Sequence, residues 1–499
     1  MDGVREAYED VPYPGLPFPQ SHPDRLATHA RLMGMKPAPP ERCRVLELGC
    51  GDGGNLVPMA AALPGSEFVG LDLAPRAVAS ARASASALGV GNVECMEGDL
   101  AAVDVSGLGR FDYVIAHGVY SWVPRPVADS LLALCHAVLD KQGVAYVSYN
   151  ALPGGHLRAL AWDAMRYHAE GHERPAERLA AAREMLAALA GGTQGDDDPY
   201  RRFSAAYAQR VARRSDAVLY HDDLEHENTP VLFTDFMAHA DAHRLQYLAE
   251  ADWFEMTPGR LSPAAAGLLD RADGDRIVRE QYLDFLRCRV YRQTLLCRAE
   301  VRLQDEPSAD AVRSLLAAAP VRATSPRAQA TGRSKVEFRT PAGATLTTDH
   351  PLLKASLMVL GDAWPERLAF GHVLGRAAER AGAVPDGGGE HAVADLWLRG
   401  YAANVIHLHA YAPAHAREPG ERPRASDLAR RQVALGLETV TSLGHEAVEL
   451  DERTRALLGL ADGTRDRDAL ARELGTKRGL AENLDRLAAL GILERVEQA

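Results

Sequence analysis

The sequence lacks the features that mark membrane-spanning, secreted and nucleic-acid-binding proteins. It has no run of eighteen apolar residues, and residues 1–20 carry acids and prolines where a secretion signal has a basic and then an apolar stretch. The six cysteines form no C-x-x-C pair and have no regular spacing, which indicates reduced, mostly buried thiols. We therefore expect a cytoplasmic protein without membrane insertion.

The chain has too few basic residues to attract nucleic acid electrostatically. Lys and Arg number 56 against 68 Asp and Glu, which gives a formal net charge of -12. A surface that attracts phosphates has the opposite balance, so we expect no nucleic-acid partner and favour a cationic one. At 499 residues the chain exceeds what one hydrophobic core usually holds, and we expect several domains.

A glycine-rich turn after a buried strand is the most informative motif of the chain. Residues 44–55 read R-V-L-E-L-G-C-G-D-G-G-N, an apolar run followed by glycines and then by a helix that begins near Asn55. In this order the backbone amides of the turn face a ligand. The glycine spacing differs from G-x-G-x-x-G, which argues against a cofactor that transfers hydride.

Two acidic residues follow the next two predicted strands. Asp72 ends the second strand, within the run E-F-V-G-L-D-L at 67–73, at the distance from the glycines where a carboxylate accepts from two ribose hydroxyls. Asp99 follows the third strand, where a carboxylate can accept from an adenine amine while Leu100 packs against the ring. Together with the glycine turn, these acids predict a site for a mononucleotide-type ligand.

Residues 41–155 alternate between strand and helix patterns, which predicts an α/β fold with a doubly wound, Rossmann-like parallel sheet. Ligands of such sheets lie outside the carboxyl ends of the strands, so the loops after the fourth and fifth strands should face the reacting group. These loops carry His117, Tyr120 and Asn150 as candidate catalytic residues. The strands are expected near residues 44–48, 67–72, 92–96, 111–116 and 143–149.

Four motifs, E-L-G-C-G-D-G-G-N, L-D, E-G-D-L and F-D-Y-V-I-A-H-G-V-Y, together resemble class I methyltransferases. The resemblance implies S-adenosyl-L-methionine as the cofactor, with Glu47 and the glycine turn at its methionine end, Asp72 on the ribose, and Asp99 and Leu100 on the adenine. The residues expected to bind the cofactor are Glu47, Gly49, Gly51, Gly53, Asn55, Asp72, Leu73, Asp99, Leu100 and His117.

Longer stretches resemble bacterial methyltransferases that carry a methyltransferase regulatory domain. Members of that family methylate lysine side chains of proteins, notably outer-membrane proteins, which implies a protein or peptide substrate with an exposed lysine. The resemblance covers about residues 5–305, and the rest of the chain more loosely. It is carried by Y-P-G-L-P-F-P-Q-S-H-P-D-R-L-A at 13–27, H-G-V-Y-S-W-V-P at 117–124, Y-V-S-Y-N-A-L-P-G at 146–154, L-Q-Y-L-A-E-A at 245–251 and Y-R-Q-T-L-L-C at 291–297.

The segments outside the methyltransferase core differ in composition, which predicts further domains. Prolines block a helix until about Asp24, so the N-terminal segment is an arm whose rings, Tyr8, Tyr13 and Phe18, either cover the mouth of the next domain as a lid or cover apolar surface elsewhere. The triplet G-G-G at 387–389 is expected to mark a break. The predicted divisions are 1–40 (arm or lid), 41–190 (methyltransferase domain), 200–305 (helical regulatory domain), 306–425 (helices and a hairpin) and 426–499 (winged-helix-like domain).

Two segments suggest functions, metal binding and DNA binding, that the rest of their sequence does not support. Histidines stand among carboxylates at 219–256, but an apolar helical pattern through Phe233, Phe236 and Ala240 explains that segment, so we predict no metal. The winged-helix-like domain would usually suggest DNA binding, but acids outnumber bases across 427–499. We expect that domain to bind protein or peptide, or to form a homodimer.

The main hypothesis is methyl transfer to a lysine amine of a protein by in-line displacement at sulfur, with Tyr120, Asn150 and His117 orienting the amine and taking its proton. One alternative within enzymes is another nucleophile, such as a peptide histidine, a backbone amide or a small metabolite. The alternative from another class is a non-catalytic protein that senses S-adenosylmethionine.

Overall fold

The computed structural model describes residues 11, 13, 15–191, 198–272, 274–384 and 386–495. Tyr8 of the predicted arm lies outside these residues, as does most of the acidic, glycine-rich run at 191–199. All six cysteines are described and are free thiols, five of them buried. No helix among the described residues is both long enough and apolar enough to cross a membrane.

A seven-stranded sheet forms the centre of the molecule. Its strands are β1 Arg44–Leu48, β2 Glu67–Asp72, β3 Val93–Glu97, β4 Phe111–Ala116, β5 Leu139–Asn150, β6 Leu245–Glu250 and β7 Tyr291–Arg298. The spatial order is β3-β2-β1-β4-β5-β7-β6. The first five strands run parallel, and β7 pairs antiparallel with both β5 and β6. The predicted doubly wound sheet is therefore confirmed, with a longer fifth strand than expected.

Helices connect the parallel strands and extend beyond them. They are α1 Pro23–Leu32, α2 Leu56–Ala62, α3 Pro75–Leu88, α4 Arg125–Val138, α5 Gly154–Ala169, α6 Pro175–Gly191, α7 Pro199–Val211, α8 Asp216–Leu219, α9 Phe233–Ala242, α10 Pro263–Arg271 and α11 Arg276–Arg287. Most pack their apolar faces onto the sheet, whereas α5 to α8 pack on one another in a core of their own. Phe233, Phe236 and Ala240 are fully buried, as the helical pattern predicted for this segment.

The segment predicted to be a helical regulatory domain also supplies strands β6 and β7 to the central sheet. Both strands are buried over most of their length, so their sequences lack the alternation of a half-exposed strand. Arg292 on β7 is buried at their junction with α11, where it donates to Glu250, Glu280 and Asp284 at 2.6, 3.1 and 2.8 Å. This segment is therefore part of the core and is not a separate helical body.

The region after β7 packs against α1 and one face of the sheet in a continuous hydrophobic core. Its elements are α12 Ala309–Val312, β8 Leu316–Ala318, β9 Arg322–Ala323, β10 Val336–Arg339, β11 Thr345–Thr348, α13 Pro351–Ala363, β12 Leu368–Ala369, α14 Phe370–Ala381, α15 Gly387–Ala402 and β13 His407–His409. The predicted hairpin is present as β10 and β11. The expected break at 387–389 is wrong, because these glycines begin α15: Asp386 caps it by accepting from Gly389 N at 2.7 Å.

The C-terminal domain has its own small core. Its elements are α16 Asp427–Ala434, β14 Thr439–Thr441, β15 Ala447–Glu449, α17 Glu452–Leu460, α18 Arg467–Glu473 and α19 Leu480–Ala489. The two strands form an antiparallel hairpin, and three helices follow it. Three helices with a strand hairpin are the parts of a winged helix, and we call the β14–β15 hairpin, which precedes the helices, the wing.

Candidate active site

A cavity of 590 Å³ opens at the carboxyl ends of β1, β2, β4 and β5. The glycine turn after β1 forms one wall, and the loop after β4 and the end of β5 form another. Residues of the N-terminal arm, among them Tyr13 and Phe18, also line it. The cavity therefore lies where doubly wound sheets place their ligands.

The glycine turn needs glycine for two different reasons. The backbone at Gly49 and Gly53 is left-handed, with φ of 74° and 78°. A Cβ atom on Gly49 would lie 2.6 Å from Val119 Cγ2, and one on Gly53 would lie 2.9 Å from Val57 Cγ2. Gly49 thus lets the loop after β4 approach the turn, and Gly53 lets the turn pack on α2. Gly49 lines the cavity, whereas Gly53 only shapes the turn.

Asp72 connects the glycine turn to the start of α3. Gly51 N donates to Asp72 Oδ2 at 2.8 Å, and Ala74 N donates to Oδ1 at 2.9 Å. Burial raises the pKa of the carboxyl, against the lowering effect of these two backbone hydrogen bonds. Each carboxylate oxygen keeps a further lone pair, which is what two ribose hydroxyls would use.

Glu47 is a buried carboxyl that lines the cavity with one oxygen unpaired. Asn55 Nδ2 donates to Oε1 at 2.7 Å, whereas Oε2 has no hydrogen-bond partner among the described residues. Burial raises the pKa of Glu47 to about 8, although the hydrogen bond from Asn55 lowers it. A buried carboxyl oxygen of this kind gains most from a cationic donor. The methionine end of S-adenosylmethionine carries an ammonium group, and Glu47 fits it.

The amide of Asn55 is held by contacts from three distant parts of the chain. Its Nδ2 donates to Glu47 and also to Ser21 Oγ at 3.1 Å. Its Oδ1 accepts from Phe18 N and from His445 Nε2, both at 2.9 Å. All four hydrogen-bonding positions of the amide are thus used. His445 lies at the tip of the wing, so the C-terminal domain contributes to the position of Glu47.

Most of the predicted cofactor-binding residues converge on this cavity. Those that line it are Glu47, Gly49, Gly51, Asn55, Asp72, Leu73, Leu100 and His117. Gly53 and Asp99 do not line it. Asp99 Oδ1 accepts from Ala101 N at 2.9 Å, so the carboxylate is used in a local turn. Its contact with adenine stays a prediction from the resemblance.

His117 lines the cavity as a neutral ring. Burial lowers its pKa to about 4. Tyr146 donates its proton to Gln293 Oε1 at 2.7 Å, so its oxygen accepts from His117 Nδ1–H at 2.9 Å. Phe18 stacks on the other side, with ring centroids 3.9 Å apart. His117 can accept a hydrogen bond at Nε2, but with this pKa it is a weak base for an amine.

The three predicted catalytic residues do not meet in one place. Asn150 lines the cavity, and its amide contacts Asn228 Oδ1 at 2.8 Å and Arg158 Nη1 at 3.5 Å. Tyr120 does not line it. The Tyr120 hydroxyl lies 2.8 Å from His239 Nδ1, and His239 does not line the cavity either. The expected role of Tyr120 in orienting the amine therefore lacks the necessary position.

Further residues line the cavity that the sequence motifs do not predict. They lie outside the loops that follow the parallel strands. Asp222 and Tyr291 belong to the regulatory segment and line the cavity beside Tyr13 of the arm. Burial raises the pKa of Asp222 to about 6, while Arg214 lowers it. Burial also raises the pKa of Tyr13 to about 12, with the Asp222 charge as the next cause. No sequence pattern marks Asp222, since it stands in a run of histidines and acids.

The strand order, the glycine turn and the acids at this cavity define a class I methyltransferase. Family models agree: a methyltransferase domain matches residues 45–143, a predicted methyltransferase regulatory domain matches 215–298, and a "PKMT, C-terminal winged helix domain" matches 421–481. The protein RP789 of Rickettsia prowazekii is 30% identical over 93% of this chain and 84% of its own length. The chain belongs to the family of RP789 and is an S-adenosylmethionine-dependent methyltransferase with a regulatory and a winged-helix domain.

Other relatives cover parts of the chain or share its fold. The R. prowazekii protein RP028 is 31% identical over 47% of this chain and 93% of its own. The structure of PKMT2 from Rickettsia typhi in complex with AdoHcy superposes with a TM-score of 0.87 at 24% identity, over 97% of this chain and 100% of that one. At this identity the superposition establishes the shared fold, including the winged-helix domain.

Proposed function

We propose that the protein transfers the methyl group of S-adenosylmethionine to a lysine side-chain amine of a protein substrate. The carrying observation is that the carboxyl of Asp222 lines the cavity together with the rings of Tyr13 and Tyr291 and is close enough for its charge to raise the pKa of both tyrosines. A carboxylate flanked by aromatic rings is a favourable environment for a cationic amine. The R. typhi neighbour and the winged-helix family both bear the abbreviation PKMT, which stands for protein lysine methyltransferase and supports this substrate class.

Asp222 has the properties that an amine-binding group requires. With a pKa of about 6 it is ionised at neutral pH and can receive a lysine ammonium. Lysine must then lose a proton, since its reference pKa is about 10.4 and only the neutral amine attacks. S-adenosylmethionine supplies an activated methyl group, so the chain has only to align and desolvate the amine. The pKa of Asp222, about 6, is closer to neutral pH than that of His117, which is about 4, so Asp222 is the stronger base of the two.

The roles of the remaining side chains follow from their positions. Asn150 at the end of β5 and Tyr291 at the start of β7 occupy neighbouring strands of the sheet and both line the cavity. We infer that Asn150 positions the amine nitrogen and that the rings of Phe18 and Tyr291 exclude water around it. Glu47 and Asp72 hold the cofactor. We also propose that the C-terminal division predicted at 426–499 is a domain of its own, because it has a separate hydrophobic core, and that the protein acts in the cytoplasm.

A small amine that bears a carboxylate is the second candidate substrate, because arginines also line this side of the cavity. Arg158 and Arg214 share Asp223, at 3.5 and 2.6 Å, and Arg214 also lies 3.7 Å from Asp222, so the two carboxylates together offset the two arginines. Arg210 lines the cavity as well and lowers the pKa of Asp222. A free amino acid could place its carboxylate at Arg210 and its amine at Asp222.

The test uses the full chain, isotope-labelled S-adenosylmethionine and a bacterial lysate separated into protein and small-molecule fractions. We expect label in protein, and methyl-lysine when the labelled peptides are mapped by mass spectrometry. Label confined to the small-molecule fraction would support the second candidate, and methyl-histidine would contradict lysine specificity. An Asp72→Ala variant serves as the control for dependence on the cofactor site. No transfer to any acceptor would favour a protein that only senses the cofactor.

We further propose that the winged-helix domain selects the protein substrate or mediates a homodimer. The excess of acids over bases across 427–499 supports a protein partner with basic residues. Methylation of the mapped protein should then fall with added salt, whereas methylation of a short lysine peptide should fall less. Equal salt dependence of the two would contradict recognition outside the cavity.

A further inference from the structure

Two histidines one helical turn apart face an aspartate on a neighbouring helix, away from the lining of the cofactor cavity. His239 lies in the last turn of α9, and His243 directly follows that helix, so both side chains lie on one face. Asp129 projects from α4. Its Oδ1 lies 3.1 Å from His239 Nε2 and 2.8 Å from His243 Nε2. One ligand atom from each residue falls within 4.8 Å of the others.

Two of the three separations are close to those of ligands around a tetrahedral ion, and the third is at most 4.8 Å. Zinc bonds of about 2.0–2.1 Å to nitrogen and oxygen place tetrahedral ligand atoms about 3.3 Å apart. The two measured distances need to grow by only a few tenths of an ångström to admit an ion. The Asp129 side chain is 58% exposed, so a water molecule can complete the coordination from the solvent side. Two imidazoles and a carboxylate are a donor set that zinc and related divalent ions prefer.

A third group fixes the orientation of one histidine. Tyr120 contacts His239 Nδ1 through its hydroxyl at 2.8 Å, and Arg125 Nη1 donates to the same hydroxyl at 3.3 Å. A metal-binding histidine usually has its second ring nitrogen held in this way, because the hydrogen bond sets the tautomer and the ring direction. His239 is 6% exposed, so its Nε2 is directed at Asp129 by packing as well.

We propose that Asp129, His239 and His243 bind a divalent transition-metal ion, of which zinc fits the donor set well. Asp129 belongs to the methyltransferase segment and both histidines to the regulatory segment. The ion joins these two parts of the chain. Through Tyr120 it also stiffens the loop after β4, whose neighbouring residues Val119 and Trp122 line the cofactor cavity. Tyr120 is then a positioning residue for the metal. The pattern at 219–256 predicts no metal because the third ligand, Asp129, lies outside that segment.

The experiment titrates cobalt and zinc chloride into the full chain after treatment with a chelator and dialysis. We expect one equivalent of cobalt to give the visible absorption of a tetrahedral site, and calorimetry to give one zinc per chain. Asp129→Asn keeps an oxygen that can accept from histidine but is a poor metal ligand, so it separates a hydrogen-bonded cluster from a metal site. It should abolish the cobalt absorption, as should His243→Ala.

Two further variants make the result decisive. Tyr120→Phe should retain the site and weaken zinc binding by about tenfold or more, because it removes the partner of His239 Nδ1. His372→Ala, at an exposed histidine on α14, is the matched control and should bind zinc like the unaltered protein. Absence of one-to-one zinc binding, or equal cobalt absorption in the unaltered protein, Asp129→Asn and His243→Ala, would overturn the proposal. Circular dichroism verifies that each variant is folded.

Discussion

Glu47 should make cofactor affinity depend on pH in a direction that its burial determines. Because the pKa of Glu47 is raised to about 8, the carboxyl is mostly protonated at neutral pH without ligand. Binding of an ammonium group requires the ionised form. Raising the pH therefore removes a competing proton, and affinity should increase until the pH exceeds the pKa.

The magnitude follows from the ionised fraction. With a pKa of about 8, roughly 3% of Glu47 is ionised at pH ~6.5 and roughly 76% at pH ~8.5. Affinity should rise by up to about 25-fold across this interval. The same shift has a stability consequence: the folded state binds more protons than the unfolded state between the ordinary carboxyl pKa and about 8. The ligand-free protein should therefore lose stability as the pH rises through that range.

The assay is isothermal calorimetry with S-adenosylhomocysteine, whose uncharged sulfur leaves the ammonium as the cationic group. Repeating the titration in buffers of different ionisation enthalpy should show proton release on binding near pH ~7. Glu47→Gln cannot ionise and should remove most of the pH dependence, so it also reports any contribution from the ligand's own amine. Equal slopes for the unaltered protein and Glu47→Gln would refute the reasoning.

Other variants test the remaining parts of the site and the fold. Asp72→Ala should weaken cofactor binding at least about tenfold by calorimetry, because it loses hydrogen bonds to ribose worth roughly 1.5–3 kcal/mol each; unchanged affinity would remove Asp72 from the site. Asp222→Asn should lower single-turnover methylation at least about a hundredfold with unchanged cofactor affinity, and full activity would exclude it as the amine-binding base. His445→Ala should weaken cofactor binding about two- to tenfold, since it removes one donor to the amide that orients Glu47. Arg292→Met leaves buried carboxyls unpaired and should lower the free energy of unfolding by roughly 3–5 kcal/mol in urea; a loss below ~1 kcal/mol would mean that they take up protons instead.

The sequence predicts the parallel half of the sheet well, because most of its strands contain an apolar run and are followed by a glycine turn or an acidic residue. The turn at Gly49 and the acid at Asp72 have fixed spacing within one continuous stretch, and the structure brings both to the cavity. The sequence does not predict strands β6 and β7, because both are buried over most of their length and so lack the alternation of apolar and polar residues that marks a half-exposed strand. Their positions depend on pairing with β5, which no local signal reveals.

The parts of the site that the sequence missed all depend on contacts between distant segments. His445 and Asn55 are 390 residues apart, and Asp222 reaches the cavity from the regulatory segment. The position of Tyr120 after a strand end predicts a catalytic role, but its hydroxyl contacts His239, 119 residues later. Position along a strand indicates which loop faces the ligand. It does not determine which way each side chain of that loop points.

Because His445 contacts Asn55, the cofactor site is completed late in the synthesis of the protein. The glycine turn and the acids of the cofactor site lie in the first 100 residues, but the amide that holds Glu47 is fully bonded only once the wing has folded. Domains fold in sequence during synthesis, the N-terminal ones first. A ribosome-bound chain therefore carries an incomplete site until His445 has emerged and its hairpin has folded. Full cofactor affinity then depends on a segment made long after the motifs that bind the cofactor.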